Sequence, residues 1–258
     1  MGGVVGRVKP NATLKDCQKA DAVIVVKRLA GFIDNVRRSG KPWVWDLVDF
    51  YPQPKCSTWN RDQSIKWVRQ QIKSARPDGV IYANQRMKDD IGIDGAVIYH
   101  HAKETPVNPI RDQIKTIGYE GSPRYLGRWR ECLVKECASR GWEFKDTGDL
   151  HEIDVVVAFR DGPFNGYAQS SWKSNVKLAN AHRAGAPFIG QPEPGYTETA
   201  TGHEIFIESP KKLARALDSL KAYETRLRIN RAFLNNIIDV KSVANQTLEY
   251  VETLLLRN

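Results

Sequence analysis

The sequence predicts an α/β fold in which one chain of 258 residues builds two Rossmann-like parallel-sheet units and closes with a helical tail. Three observations carry this expectation. Short β-branched runs alternate with amphipathic segments, the pattern that builds parallel sheets through helical crossovers. The alternation lapses over residues 102–113, where "AKETPVNPIRDQ" holds two prolines and no periodicity, and then restarts. From Glu224 to Asn258 the pattern is largely helical. The expected organisation is a first unit over 1–103, a linker over 104–113, a second unit over 114–223 and terminal helices over 224–258.

In the first unit, strands are expected in "GVVGRVK" and "DAVIVVKRL", with a short helix from Thr13 to Ala20 between them, capped by Thr13. "AGFIDNVRRSGK" reads as a helix stopped by Gly40, and "PWVWDLVD" as a strand ending in acids. In "NRDQSIKWVRQQIKSARPDG", Ile65, Val68 and Ile72 share one helix face while Lys66, Arg69, Lys73 and Arg76 lie on the other. Strand "GVIYAN", helix "QRMKDDI" and strand "GAVIYHH" come next.

The second unit reads as strand "IKTIGYEG", helix "RYLGRWRECLVKECASRG", strands "WEFKD" and "IDVVVAFRD", and helix "SSWKSNVKLANAHRAG". Strands "PFIG" and "EIFIE" and helix "SPKKLARALDSLKAY" complete it. In the tail, Val243, Leu248, Val251 and Leu255 are spaced for one buried face.

With 41% hydrophobic and 27% charged residues and no apolar run long enough for a bilayer, the expectation is a soluble, cytoplasmic protein without a membrane span. Cys17, Cys56, Cys132 and Cys137 lack CxxC spacing and zinc-site histidines, so they read as reduced, buried or incidental thiols. The net charge of +9 favours anionic partners: nucleotide diphosphates, nucleic acid or acidic surfaces.

In open α/β sheets ligands sit outside the carboxyl ends of the strands. In the second unit those positions are Gly121 and Ser122, Arg160 and Asp161, and Gln191 to Glu198. "YEGSPRY" can offer backbone N–H groups and a helix N-terminus to a phosphate, with Arg124 alongside; it can equally be a plain strand-to-helix turn. Lys173, Lys177 and Asn180 are expected on one helix face near its start, where cations oppose the helix dipole and an anionic ligand would explain them.

The stretch "KSNVKLANAHRAGAPFIGQPEPGYTE", residues 173–198, resembles the donor-binding segment of small GT-B-type nucleotide-sugar glycosyltransferases. The resemblance extends thinly through "KADAVIVVKRL", "GKPWVWDLVDFY", "DGVIYANQRM", "AVIYHH" and "IGYEG". It implies a GT-B-like fold, a nucleotide-diphosphate sugar as co-substrate with no further cofactor, a diphosphate contact at Lys177 and a ribose or sugar contact at Asn180. The Glu-x7-Glu pair of the larger retaining enzymes falls on Trp172 and Asn180, so both glutamates are absent. Such enzymes bind the diphosphate with cations and helix dipoles, which implies no metal.

The first unit would then present the acceptor. His100 and His101, expected at the end of "AVIYHH", can position a hydroxyl or act as a base, and Asp49 and Asp46 end "WVWDLVD" in a similar place. Lys27 lies on the same edge. Glu198 joins the donor candidates as a partner for hydroxyls. The charge, the basic face over 61–76 and the run "RYLGRWR" also admit a polyanionic acceptor such as DNA with a hydroxylated base, or a non-catalytic nucleic-acid binder on the same scaffold.

Overall fold

The computed structural model describes residues 9, 12–27, 33–49, 59–162 and 166–256. Cys56 and all of the expected strand "GVVGRVK" except Lys9 lie outside them.

The first sheet arises from a regular alternation. Helix α1 (Leu14–Gln18) starts at Thr13, whose hydroxyl accepts from Asp16 N at 3.2 Å while the Asp16 carboxylate accepts from Thr13 N at 3.0 Å. Then come β1 (Val23–Val26), α2 (Ile33–Arg38), β2 (Trp43–Asp46), α3 (Arg61–Ala75), β3 (Gly79–Tyr82), α4 (Gln85–Ile91) and β4 (Ala96–Val97). The strands pair in parallel in the order β1-β2-β3-β4. Their side chains alternate as the pleat requires. Trp43, Trp45, Val80 and Tyr82 enter one core with Ile65, Val68 and Ile72 of α3, while Val44 and Ile81 face the other side.

The strand expected over "GAVIYHH" is cut to Ala96–Val97, so His100 and His101 stand in coil beyond the sheet. An asparagine side chain replaces the strand partner there. Asn175 Oδ1 accepts from His100 N at 2.8 Å and Asn175 Nδ2 donates to the His100 carbonyl at 3.1 Å, which satisfies the backbone without a ladder.

The second sheet comprises β5 (Thr116–Tyr119), β6 (Glu143–Asp146), β7 (Val155–Ala158), β8 (Phe188–Gly190) and β9 (Ile205–Phe206), parallel in the order β6-β5-β7-β8-β9. Chain order reverses between β5 and β7. Connections leave these neighbours in opposite directions, which opens a crevice at their carboxyl ends. Helix α5 (Arg128–Arg140) links β5 to β6, and its Trp129 and Leu133 enter the core of this half.

The single helix expected over 170–185 is in fact two, α6 (Tyr167–Ser171) and α7 (Val176–Ala184). Tertiary pull breaks it. Ala168 and Trp172 are buried in the core of the first sheet, where Trp172 Nε1 donates to Asp90 Oδ2 at 2.9 Å. Asn84 Nδ2 donates to the carbonyls of Ser171 and Lys173 at 3.1 and 2.8 Å, tying down the backbone between the helices. The proline-glycine stretch after β8 contains a short helix, α8 (Pro194–Thr197). A Cβ on Gly195 would lie 2.4 Å from the Lys173 carbonyl, so glycine lets α8 pack directly on the bridging backbone.

Helices α9 (Leu213–Asp218) and α10 (Tyr223–Leu234) cover the second core, and α11 (Val240–Leu255) returns to the first sheet. Tyr250 Oη accepts from Val80 N at 3.1 Å. The buried face of α11 holds Val251 and Leu254, and Leu255, expected there, is 38% exposed. Once Val243 and Tyr250 set the contact stripe, three residues beyond Val251 continues it and four do not.

Asp90, 4% exposed, ties α3, α4 and α6 together through Arg61, Tyr167 and Trp172. Asp90→Ala would strip these donors of their shared acceptor, and a loss of about 3 kcal/mol is expected in urea unfolding. A loss under about 0.5 kcal/mol would show that this knot does not hold the bridge in place.

Candidate functional site

The crevice at the β5/β7 reversal is a cavity of about 200 Å³. Gly121 reaches it from the end of β5, Arg160 from β7, Tyr196 from α8, Lys173 and Ser174 from the bridge, Lys177 from the first turn of α7 and Asp49 from the first sheet. Tyr125 and Gln169 also line it.

Each cation is held by its surroundings. Lys177 Nζ sits 4.2 Å from the centre of the Tyr119 ring. Gly121 has φ +152°, and a Cβ there would stand 3.2 Å from Lys177 Nζ and 3.0 Å from Tyr119 Oη, so glycine is what admits the lysine. Arg160 donates from Nε to Glu193 Oε1 at 2.7 Å, and its side chain and that of Glu193 are 11% and 5% exposed. Burial works against the Arg160 charge, but Glu193 overrides it and holds the guanidinium above the usual arginine range. Burial brings Lys177 down to about 7, with repulsion from Arg160 and Lys173 adding to it. Lys173 is lowered to about 8, again by burial first, with Asp49 opposing and Arg160 reinforcing.

Across the cavity, Asp49 Oδ1 accepts from Ser174 Oγ at 2.8 Å and Ser174 N at 3.2 Å, and Oδ2 accepts from Lys27 Nζ at 3.4 Å. Burial pushes this carboxyl up. Lys173, Lys27 and the two Ser174 bonds overcome that and keep it well below the usual carboxylate range. Lys27 and Asp49 both have positive φ, at 64° and 48°, so backbone strain gathers at this edge of the first sheet. Asp46 ends β2, accepts from Val48 N at 3.1 Å and is raised to about 6, chiefly by burial. Burial lowers His100 against the pull of Asp49, which leaves the imidazole neutral at neutral pH. His101 Nδ1 lies 2.8 Å from the Ala102 carbonyl.

The structure therefore brings Gly121, Arg160, Lys173, Lys177 and Asp49 to one cavity. Lys173 and Lys177 do not share a helix face, since Lys173 precedes the Asn175 N-cap of α7; they converge because the bridge folds back on the helix start. Ser122 is the N-cap of the turn Pro123–Tyr125 and does not line the cavity. Asn180, 2% exposed, accepts from Lys103 N and donates to Glu120 Oε2, each at 2.7 Å. Glu198 accepts from Gln85 N and Arg86 N in the first turn of α4, at 2.7 and 3.0 Å, and from Tyr99 Oη at 3.1 Å. Neither lines the cavity, and both join the halves.

Sequence reasoning misses Tyr119, Gln169 and Ser174. Tyr119 sits inside a strand, and Gln169 precedes the helix expected over 170–185, on a helix that starts earlier, at Tyr167. Among the described residues, Tyr119 Oη and Glu193 Oε2 are buried with no hydrogen-bond partner, and both belong to residues beside the cations. Among those residues, too, no group of three His, Cys, Asp or Glu side chains could hold a metal ion, and no helix is long and apolar enough to cross a membrane.

No family model and no curated relative matches the sequence. Solved structures do match the fold. AviGT4, a glycosyltransferase involved in avilamycin A biosynthesis, is 15% identical with a TM-score of 0.56, over 98% of this chain and 83% of its own. Anabaena HepE in complex with UDP-glucose is 12% identical with a TM-score of 0.58, over 93% and 80%. TarM is 12% identical with a TM-score of 0.60 over 94% of this chain, which spans 58% of the TarM chain and 59% of that matched in the GtfA/B complex. The fold is GT-B: two parallel-sheet α/β regions with a C-terminal helix crossing back to the first.

Lysine-selective NMR titration is expected to show two amines titrating near 7 and 8, absent in Lys177→Met and Lys173→Met respectively. Titration of both only above about 10 would mean that the cavity does not crowd its cations as described.

Proposed function

We propose that the protein transfers a sugar from a nucleotide-diphosphate sugar to an acceptor hydroxyl. The observation that carries this reading is the convergence of Arg160, Lys173 and Lys177 on one small cavity at the reversal point of a GT-B sheet. A diphosphate leaving group develops negative charge as the glycosidic bond breaks, and preorganised cations in a poorly hydrated site stabilise that charge without reorganising. A metal is not required for this step, because the three cations supply the countercharge. At about 200 Å³ the cavity suits the diphosphate, with base and sugar extending beyond it.

Asp49 positions the site. Its carboxylate is a weak base, consumed in fixing Ser174 and balancing Lys173 and Lys27. The proton of the acceptor hydroxyl is better received by His100, held neutral, or by Asp46, which titrates near 6.

Thermal unfolding with UDP, GDP, ADP, CMP and their sugar conjugates tests the donor site. One nucleoside diphosphate at a hundred times its Kd should add about 2.7 kcal/mol, a rise of about 5–10 °C for a chain of this size. Lys177→Ala should keep or raise the ligand-free Tm, since it removes a buried and repelled charge, and should lose the ligand-induced rise. An equal rise in the variant, or none in either protein, would overturn the assignment.

A further inference from the structure

A second cleft opens at the opposite, amino-terminal edge of the first sheet, beside the first residues of β2 and β3. Its volume is about 380 Å³, and Arg37, Lys41, Arg76 and Asp78 supply its charged walls. We propose that this cleft holds the sugar-phosphate backbone of a duplex nucleic acid, as a docking site separate from the donor cavity.

The charges are arranged for an external anion. Asp78, the acid of the lining, is occupied: its Oδ2 accepts from Trp43 N at 2.8 Å. Arg37 is fixed by donating from Nε to the Ala75 carbonyl at 3.2 Å and from Nη2 to the Ser74 carbonyl, with Asp34 3.8 Å from its remaining nitrogen. Among the described residues, Lys41 and Arg76 have no ion-pair partner. Arg76 is also strained. It is the left-handed C-cap of α3 at φ 54°, ψ 56°, a position where glycine is the usual residue and a long cationic side chain has a conformational cost.

The lining selects the partner class. Trp43, the aromatic of the lining, is 3% exposed and offers no ring for unstacked bases, which argues against a single strand. Among the described residues, no exposed apolar side chain lines the cleft for insertion into a lipid surface. What remains is a concave cationic wall, with guanidinium groups suited to phosphate oxygens.

The test is fluorescence anisotropy of a 20-base-pair DNA duplex (about two helical turns) with the full chain, repeated from 50 to 200 mM salt. Lys41→Gln/Arg76→Gly is the variant of choice, because glycine suits the left-handed backbone and the fold is kept. The wild-type protein should bind with a log–log salt slope of about −3, one unit per lining cation. The double variant should bind at least about tenfold more weakly, with a slope shallower by about two units and an undiminished Tm. Its nucleotide-induced thermal shift should match the wild type, which separates this inference from the donor-site reading. No binding at 50 mM salt, an unchanged slope in the variant, or capture by anionic vesicles in place of duplex would overturn it.

Discussion

The structure depends on keeping three cations together in one small cavity. Arg160, Lys173 and Lys177 repel one another, and burial disfavours the charge on each. Two acids hold the arrangement, one buried and one half-buried. Glu193 sits behind Arg160, and Asp49 reaches across from the other sheet to Ser174, next to Lys173. The two acids leave an excess of positive charge, and among the described residues two buried polar atoms beside the cations lack partners. A folded protein keeps such an imbalance where a ligand corrects it.

The bridge between α6 and α7 gives this arrangement its rigidity. It leaves the second sheet to bury Ala168 and Trp172 in the first core, passes Lys173 and Ser174 along the cavity wall and returns at Asn175. Three buried asparagines do the joining. Asn84 holds two carbonyls of the bridge, Asn175 holds both backbone groups of His100, and Asn180 spans Lys103 and Glu120. With Glu198 at the start of α4, these bonds tie the first half of the chain to the wall of the cavity. Asn180 and Glu198 thus serve the cleft by building it.

Much of the fold was legible because alternating β-branched runs and capped amphipathic helices report local preferences that packing reinforces. The Thr13 cap, the α3 face and the helix "QRMKDDI" appear where periodicity puts them. The features that were not legible depend on the other half of the chain. The break at Trp172 comes from Asp90 and the first core, and the early end of β4 comes from Asn175. Gly121 and Arg160 could be found from their places just past the ends of strands, and Lys177 from its place at the start of a helix. The packing of Lys177 against Tyr119 and the buried Glu193–Arg160 pair could not, since they rest on depth that a sequence does not display.

The most direct test of the central claim is the proton uptake that accompanies nucleoside diphosphate binding, measured by isothermal titration calorimetry in buffers of different ionisation enthalpy. With free Lys177 near 7 and Lys173 near 8, both are protonated at pH 6, whereas at pH 8 the first is mostly neutral and the second about half so. A bound diphosphate raises both. Uptake of about 1.4 protons at pH 8, most of it at Lys177, with affinity falling as pH rises past 7, is the predicted result. Binding with no proton uptake at pH 8, or with proton release, would contradict the account.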